Sequence, residues 1–230
     1  MSSITYRDRR GQLQTYFDET AADAWKKLTS DAPVSRIRAT VRAGRDAMRD
    51  TLLSWLPADL SGRRLLDAGC GTGTLAIEAA KRGADVVAID LSPTLIDHAR
   101  AAQAEMLGRG SIEFISGDML SPKLGQFDHI VAMDSLIHYE PDDVIDALDR
   151  LTSRCNDSMV FTFAPRTVPL AVMHAVGRLF PRSDRAPMIV PISHGEMQRR
   201  LALQFGAGKA KRDHRITSGF YMSHAQEIRM

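Results

Sequence analysis

Residues 65–73 read Leu65-Leu66-Asp67-Ala68-Gly69-Cys70-Gly71-Thr72-Gly73. A short apolar run feeds an acid, and glycine then recurs at alternate positions. Residues 74–83 continue as TLAIEAAKRG, with Leu75, Ala76, Ala79 and Ala80 at helical spacing and Gly83 as the stop. The spacing predicts strand, tight turn, helix. Glycine in the turn lets backbone approach a ligand where a Cβ would collide. Seventeen residues after Gly73, the run VVAID ends in Asp90. An acid at the tip of a second strand suits a ribose diol, because a carboxylate accepts from both hydroxyls.

Two ligand classes use such a turn, dinucleotides and S-adenosylmethionine. A dinucleotide places its pyrophosphate on the helix N-terminus, typically over G-x-G-x-x-G. Here the order is G-x-G-x-G, and Thr74 stands where the last glycine would be. Asp67 repels a pyrophosphate and attracts the ammonium of a methionine moiety. The pattern D-x-G-x-G-x-G resembles motif I of class I S-adenosylmethionine-dependent methyltransferases. A nicotinamide or flavin domain is the rival reading.

The rest of the chain repeats the strand–helix rhythm. RRLLDAG, DVVAID, SIEFIS, FDHIVAMD and SMVFTFA read as five strands. Helices are predicted at 74–82, from Pro93 to about Leu107, and over PDDVIDALDRLTS, where Pro141 and the acids after it suit a first turn. ITSGFYMSHAQEIRM reads as two final strands. The expected fold is α/β, a Rossmann-like class I methyltransferase sheet, mostly parallel with an antiparallel C-terminal hairpin. An N-terminal helical arm and an inserted helix after strand five, TVPLAVMHAVGRLFP, complete it. Residues 34–56 read as one long helix, with Ile37, Val41, Met48, Leu52 and Leu56 on one face and Pro57 as the stop. Arg38, Arg42, Arg45 and Arg49 share a neighbouring face and read as a solvated ridge. Residues 1–56 are expected to cover the donor site, and 57–230 to form the donor-binding domain with a substrate-binding insertion at about 165–192.

Length and composition agree with one such domain. The 230 residues carry a net charge of +2, spread as +3 over residues 1–50, −8 over 51–164 and +7 over 165–230. Basic flanks around an acidic core suit an anionic substrate or membrane surface, or are simply solvated. Aromatics are few and basic runs short, so nucleic acid is not an expected partner. The polar start MSSITYRDRRG is unlike a signal peptide. No stretch approaches the ~20 apolar residues that span a bilayer. With only Cys70 and Cys155, neither a disulfide framework nor a zinc site is expected, and the compartment reads as a reducing cytoplasm. The histidines show no metal-ligand spacing, so no protein-bound metal is expected.

Candidate donor contacts follow from the strand ends. Asp67, Gly69, Cys70, Gly71 and Gly73 belong to the first turn, and Asp90 and Leu91 to the second. Asp118 follows strand three, where its carboxylate suits an adenine amino group and Met119 and Leu120 suit the ring. Met133 and Asp134 follow strand four, beside the methionine portion. Tyr16, with Phe17 and Trp25 in the arm, is placed as a cover. His138 and Tyr139 fall where an acceptor must enter, and His138 is the candidate catalytic residue. Arg166, Arg178 and Arg182 near the inserted helix are candidate anchors for an acidic substrate.

With those residues named, the chain resembles the magnesium-protoporphyrin IX methyltransferases of chlorophyll and bacteriochlorophyll synthesis, in the wording of the purple-bacterial branch. Beyond motif I the resemblance rests on QTYFDETAADAWKKL, VSRIRATVRAG, DSLIHY and FAPRTVPLAVMHAVGRLFPRSDRAP. It departs at Thr29, where oxygenic members tend to carry a tyrosine, so any duty of that tyrosine does not carry over. The resemblance implies methyl transfer from S-adenosylmethionine to a propionate of magnesium protoporphyrin IX, with S-adenosylhomocysteine as the other product. It also implies a magnesium chelatase large subunit as a candidate partner and peripheral contact with a membrane. Two rivals stay open: another small hydrophobic acceptor, such as a quinone precursor, and a non-catalytic donor-binding carrier or regulator.

Overall fold

The computed structural model describes residues 6–20, 35–103, 109–166 and 188–230. The arm forms helix α1 (Tyr6–Thr15) and one π-helical turn (Tyr16–Thr20). Helix α2 (Arg36–Ser54) begins at Ser35, whose hydroxyl accepts the Arg38 N–H, and ends three residues before Pro57. Strands β1 (Arg64–Ala68), β2 (Asp85–Asp90), β3 (Ser111–Ser116), β4 (Phe127–Ala132) and β5 (Cys155–Phe163) lie parallel. Between them run α3 (Thr74–Lys81), α4 (Pro93–Gln103) and α5 (Pro141–Thr152). The chain ends in α6 (His194–Phe205) and the hairpin β6 (Ala210–Ser218)–β7 (Tyr221–Arg229).

The sheet order is β3-β2-β1-β4-β5-β7-β6, and β7 runs antiparallel between β5 and β6. The expected parallel sheet with a C-terminal antiparallel hairpin is what forms. The inserted helix expected at about 168–180 lies outside the described residues.

Side-chain alternation on the strands separates two cores. Leu65, Val86, Ala88, Val131 and Val160 face α2, α3 and α4. Leu66, Val87, Ile89, Ile130, Met159 and Phe161 face the opposite layer, built by α5 and α6. Strands buried on both faces are predominantly apolar, as parallel sheets favour, with Asp67, His129, Ser158 and Thr162 as buried polar exceptions. Leu13 of α1 joins the second core, so the arm is part of the packed body.

A parallel sheet reverses its strand order between β1 and β4. Loops at the carboxyl ends of those strands diverge to opposite faces and leave a crevice for a ligand. The glycine turn, the β2 tip and the loop after β4 all open there.

Candidate active site

Asp67 is the last residue but one of β1 and is buried. One carboxylate oxygen, Oδ2, has no hydrogen-bond partner among the described residues. Desolvation, with the Asp90 charge beside it, pushes its pKa up to about 7 against one backbone hydrogen bond from Ala76. An orphaned buried oxygen is costly. It fits a cationic ligand group that supplies the missing hydrogen bond.

The glycine turn hangs on β2. Gly69 and Cys70 N–H groups both donate to the Ile89 carbonyl, at 2.8 and 3.0 Å. Gly69 has φ +85°, and a Cβ there would run into the Cβ of Ser135 in the loop after β4. Gly73 takes φ +77° as the N-cap of α3, where a Cβ would lie 2.7 Å from the Phe114 ring. The turn therefore needs glycine for left-handed backbone and for close packing at once.

Asp90 binds this turn as well as facing the cavity. Its Oδ2 accepts the Gly71 N–H at 2.9 Å and its Oδ1 the Ser92 N–H at 3.0 Å. Each oxygen keeps a second lone pair for a diol.

The cavity measures about 440 Å³. Tyr16, Asp67, Gly69, Cys70 and Gly71 line it from the arm and the first turn, and Asp90, Leu91 and Met119 from the ends of β2 and β3. Met133, Asp134, His138 and Tyr139 line it from the loop after β4. Gly73, Leu120 and Arg166 do not reach it, nor does Asp118. The Leu120 side chain is in the core. Arg178 and Arg182, like Trp25 and Thr29, lie outside the described residues.

Asp118 meets the arm instead. Tyr6 Oη donates to Oδ1 at 2.9 Å, Arg10 Nη1 to Oδ2 at 2.6 Å, and the Leu120 N–H to Oδ1 at 2.9 Å. Tyr6 stacks on Tyr139 with ring centroids 4.8 Å apart. Further along the arm, Asp18 Oδ1 accepts from Ser92 Oγ (2.9 Å) and the Thr94 N–H (3.1 Å), a cap for α4 supplied by a remote segment. Those hydrogen bonds, Thr94 first, hold its pKa below the ordinary carboxylate range.

His138 is buried and lies edge-on to Phe17, ring centroids 6.0 Å apart. Its Nδ1 is 3.4 Å from the Met188 carbonyl, so the chain returning at 188 braces the ring. The backbone bond from Val190 N–H to the Ile137 carbonyl (2.8 Å) fixes the same loop.

Asp134 is the non-glycine residue with positive φ (+54°) among the described residues. Its carboxylate accepts from Arg45 Nη1 (2.6 Å), Thr162 Oγ1 (3.1 Å), Tyr221 Oη (3.1 and 3.2 Å) and Ser223 Oγ (3.2 Å). Burial and the Asp134 charge push the Tyr221 hydroxyl pKa well above its usual value, so it stays a donor. The arginine ridge of α2 is therefore not uniformly solvated. Arg45 is an internal ion pair, and both Arg38 and Arg45 line the cavity. The hairpin tip, residues 220–223, lines it too. Arg38, Arg45 and the tip were not legible as site residues, since nothing local in the sequence ties α2 to β7.

One further grouping was not legible in spacing. His194, Asp213 and His224 converge, with Nε2 of His224 at 2.9 Å and of His194 at 3.5 Å from Asp213 Oδ1. The two rings stack with centroids 4.7 Å apart, and both Nε2 atoms face the same Asp213 oxygen. A hydrogen bond from His224 to Asp213 accounts for the group without a cation.

A sheet in this order, with its crevice at the carboxyl ends of β1, β2 and β4 and a buried acid suited to a cationic group, defines a class I S-adenosylmethionine-dependent methyltransferase. A family model described as "Methyltransferase domain" matches residues 65–158. A second, "Magnesium-protoporphyrin IX methyltransferase C-terminus", matches residues 132–230. Magnesium-protoporphyrin O-methyltransferase of Rhodobacter capsulatus is 48% identical over 225 residues, spanning 97% of this chain and 98% of that one. The chloroplastic magnesium protoporphyrin IX methyltransferase of Arabidopsis thaliana is 30% identical over 99% of this chain and 77% of its own length. The crystal structure of magnesium protoporphyrin IX methyltransferase from Synechocystis PCC 6803 with bound SAH superposes with a TM-score of 0.82 at 27% identity, covering 96% of this chain and 99% of that one. The chain belongs to the magnesium-protoporphyrin IX methyltransferase family.

Proposed function

We propose that this protein methylates a propionate carboxylate of magnesium protoporphyrin IX, using S-adenosylmethionine and releasing the monomethyl ester and S-adenosylhomocysteine. The observation that carries the reading is the buried Asp67 oxygen, without a partner among the described residues, in the crevice of a chain that matches a magnesium-protoporphyrin O-methyltransferase over 97% of its length. The donor's sulfonium supplies the methyl group; the chain supplies binding, alignment and shelter from water.

Asp67 receives the donor's ammonium and Asp90 its ribose hydroxyls. The glycine turn lets the donor's backbone-like tail lie against the Gly69–Gly71 peptide groups. Met119 and Leu91 flank the adenine. Asp118, already bound by Tyr6 and Arg10, holds the arm over that end of the site. Tyr16 and Phe17 cover the reacting centre. Water stabilises a separated carboxylate and sulfonium better than their neutral products, so its exclusion lowers the barrier. A propionate is ionised at neutral pH and needs no strong base. His138, fixed between Phe17 and Met188, orients it for in-line attack.

No helix of the described residues is long and apolar enough to cross a membrane. Handover of so apolar an acceptor from a magnesium chelatase subunit, at a membrane surface, belongs to the proposal. The decisive experiment is turnover with labelled donor, magnesium protoporphyrin IX and, separately, a quinone precursor. Formation of labelled monomethyl ester is the expected result. Labelling of the quinone precursor alone moves the protein to another acceptor, and donor binding without any transfer makes it a carrier.

A further inference from the structure

Arg38, Val41 and Arg45 stand at positions i, i+3 and i+7 of α2, on one face, and all three line the cavity. Their environments differ in order. Arg45 is deepest and its charge is matched by Asp134 at 2.6 Å. Val41 follows as an apolar step. Arg38 lies outermost, about 10 Å from Arg45 along the helix axis at 1.5 Å per residue. Its side chain is exposed, and its guanidinium has no hydrogen bond or ion pair among the described residues. Beside it the hairpin tip presents Phe220, half exposed yet part of the same cavity wall.

This corner is rigid. Ser218 Oγ donates to the Thr40 carbonyl at 2.8 Å. Gly219 and Gly44 allow contact so close that a Cβ on Gly44 would lie 2.5 Å from the Tyr221 ring. The helix and the hairpin therefore fix the backbone positions of Arg38 and Phe220 relative to the inner ion pair.

We infer that Arg38 and Phe220 form a carboxylate subsite at the cavity mouth, which holds the second, unreacting propionate of the acceptor while Phe220 covers the macrocycle. The inference rests on the proposed function and adds the anchor to it. The acceptor is a flat apolar body with two carboxylates on one edge. One carboxylate must reach the donor beside His138. The other is left at the rim, where the Arg38 guanidinium, without a partner among the described residues, meets it on an apolar wall. A guanidinium binds a carboxylate in a bidentate, charge-assisted pair, and stacks on aromatic surface as well. Arg166, an earlier candidate, does not line the cavity.

The test isolates the second carboxylate. The monomethyl ester of magnesium protoporphyrin keeps one free carboxylate, and the dimethyl ester keeps none. Binding of each is followed by porphyrin fluorescence with S-adenosylhomocysteine present. The wild-type protein is expected to prefer the monoester by about tenfold or more, the worth of one charged hydrogen-bonded pair. Arg38→Met should bind both esters alike, with Arg38→Lys between, and S-adenosylhomocysteine should bind all three proteins equally. In turnover of the diacid the loss should fall on KM rather than kcat. A monoester preference that survives in Arg38→Met overturns the subsite, as does a wild-type protein without any preference. A wild-type protein that neither methylates the diacid nor binds either ester overturns the function itself.

Discussion

Arg45 and Asp134 are joined by a 2.6 Å ion pair across 89 residues of sequence, and through it α2 is tied to the loop after β4. Both side chains are largely buried. The pair, with Thr162, Tyr221 and Ser223 around the same carboxylate, holds Asp134 in left-handed backbone. Aspartate tolerates that region better than most residues do. Arg45→Met leaves a buried charge short of its counter-ion. A loss of about 3 kcal/mol in urea unfolding is expected, with part restored in Arg45→Lys. Unchanged stability would show that the three hydroxyls suffice.

The proton on Asp67 sets a pH dependence for donor binding. Burial raises its pKa in the free protein to about 7, so below that pH it is neutral and cannot pair with an ammonium. Affinity for S-adenosylhomocysteine should therefore rise with pH through about 7. It should fall again only at higher pH, where the ligand's own α-ammonium loses its proton. Calorimetry across pH 5.5 to 9, as a rough range around those values, should show one proton released per ligand bound near pH 6. Asp67→Asn should bind more weakly and lose the acid limb. For folding the sign is opposite: a carboxyl held protonated in the native state favours the fold at low pH, and stability falls as pH rises from the ordinary carboxylate range through about 7.

His138 is placed to orient the acceptor rather than the donor. His138→Ala should lower turnover by about tenfold or more, within the range of a lost positioning group, while the dissociation constant of S-adenosylhomocysteine stays put. A matching loss in donor affinity would assign His138 to the donor pocket instead.

Gly44 faces Tyr221 with no room for a methyl group. Gly44→Ala should push the Tyr221 hydroxyl off Asp134 and cost about 1–3 kcal/mol, the usual penalty of overpacking. Pairing it with Tyr221→Phe checks the cause: the two losses should be less than additive.

Tyr6 and Arg10 latch the arm through Asp118. Tyr6→Phe should weaken that latch by about 1 kcal/mol, read as faster amide exchange over residues 8–18 with little change in the sheet. Exchange confined to its wild-type rate would mean that Leu13 and the Asp18 cap hold the arm without it.

What was legible in the sequence was local. The strand–turn–helix at 65–81, the acid ending β2, the proline starts of α4 and α5, and the final hairpin each declare themselves within about a dozen residues, because dihedral preference and burial period act over that range. Those units imply a mostly parallel sheet with an antiparallel hairpin, while the order of its seven strands came only with the structure. The site was legible as far as it is made of strand ends. The Asp118 carboxylate shows the limit: its position was plain, but its partners, Tyr6 and Arg10, lie more than 100 residues away. The arginine ridge of α2 shows it again. Periodicity reveals which residues share a face, not what that face meets, so Arg45 read as solvated when it is the counter-ion of a buried aspartate.

The Gly44–Tyr221 and Gly219–Thr40 approaches make the start of α2 and the turn of the last hairpin one interlocked part, though they are separated by most of the chain. Neither can be exchanged alone without a clash or a void. Redirecting the enzyme to a differently shaped acceptor would require transplanting both stretches from a single donor protein, and chimeras that swap only one should misfold at that seam before they change their preference.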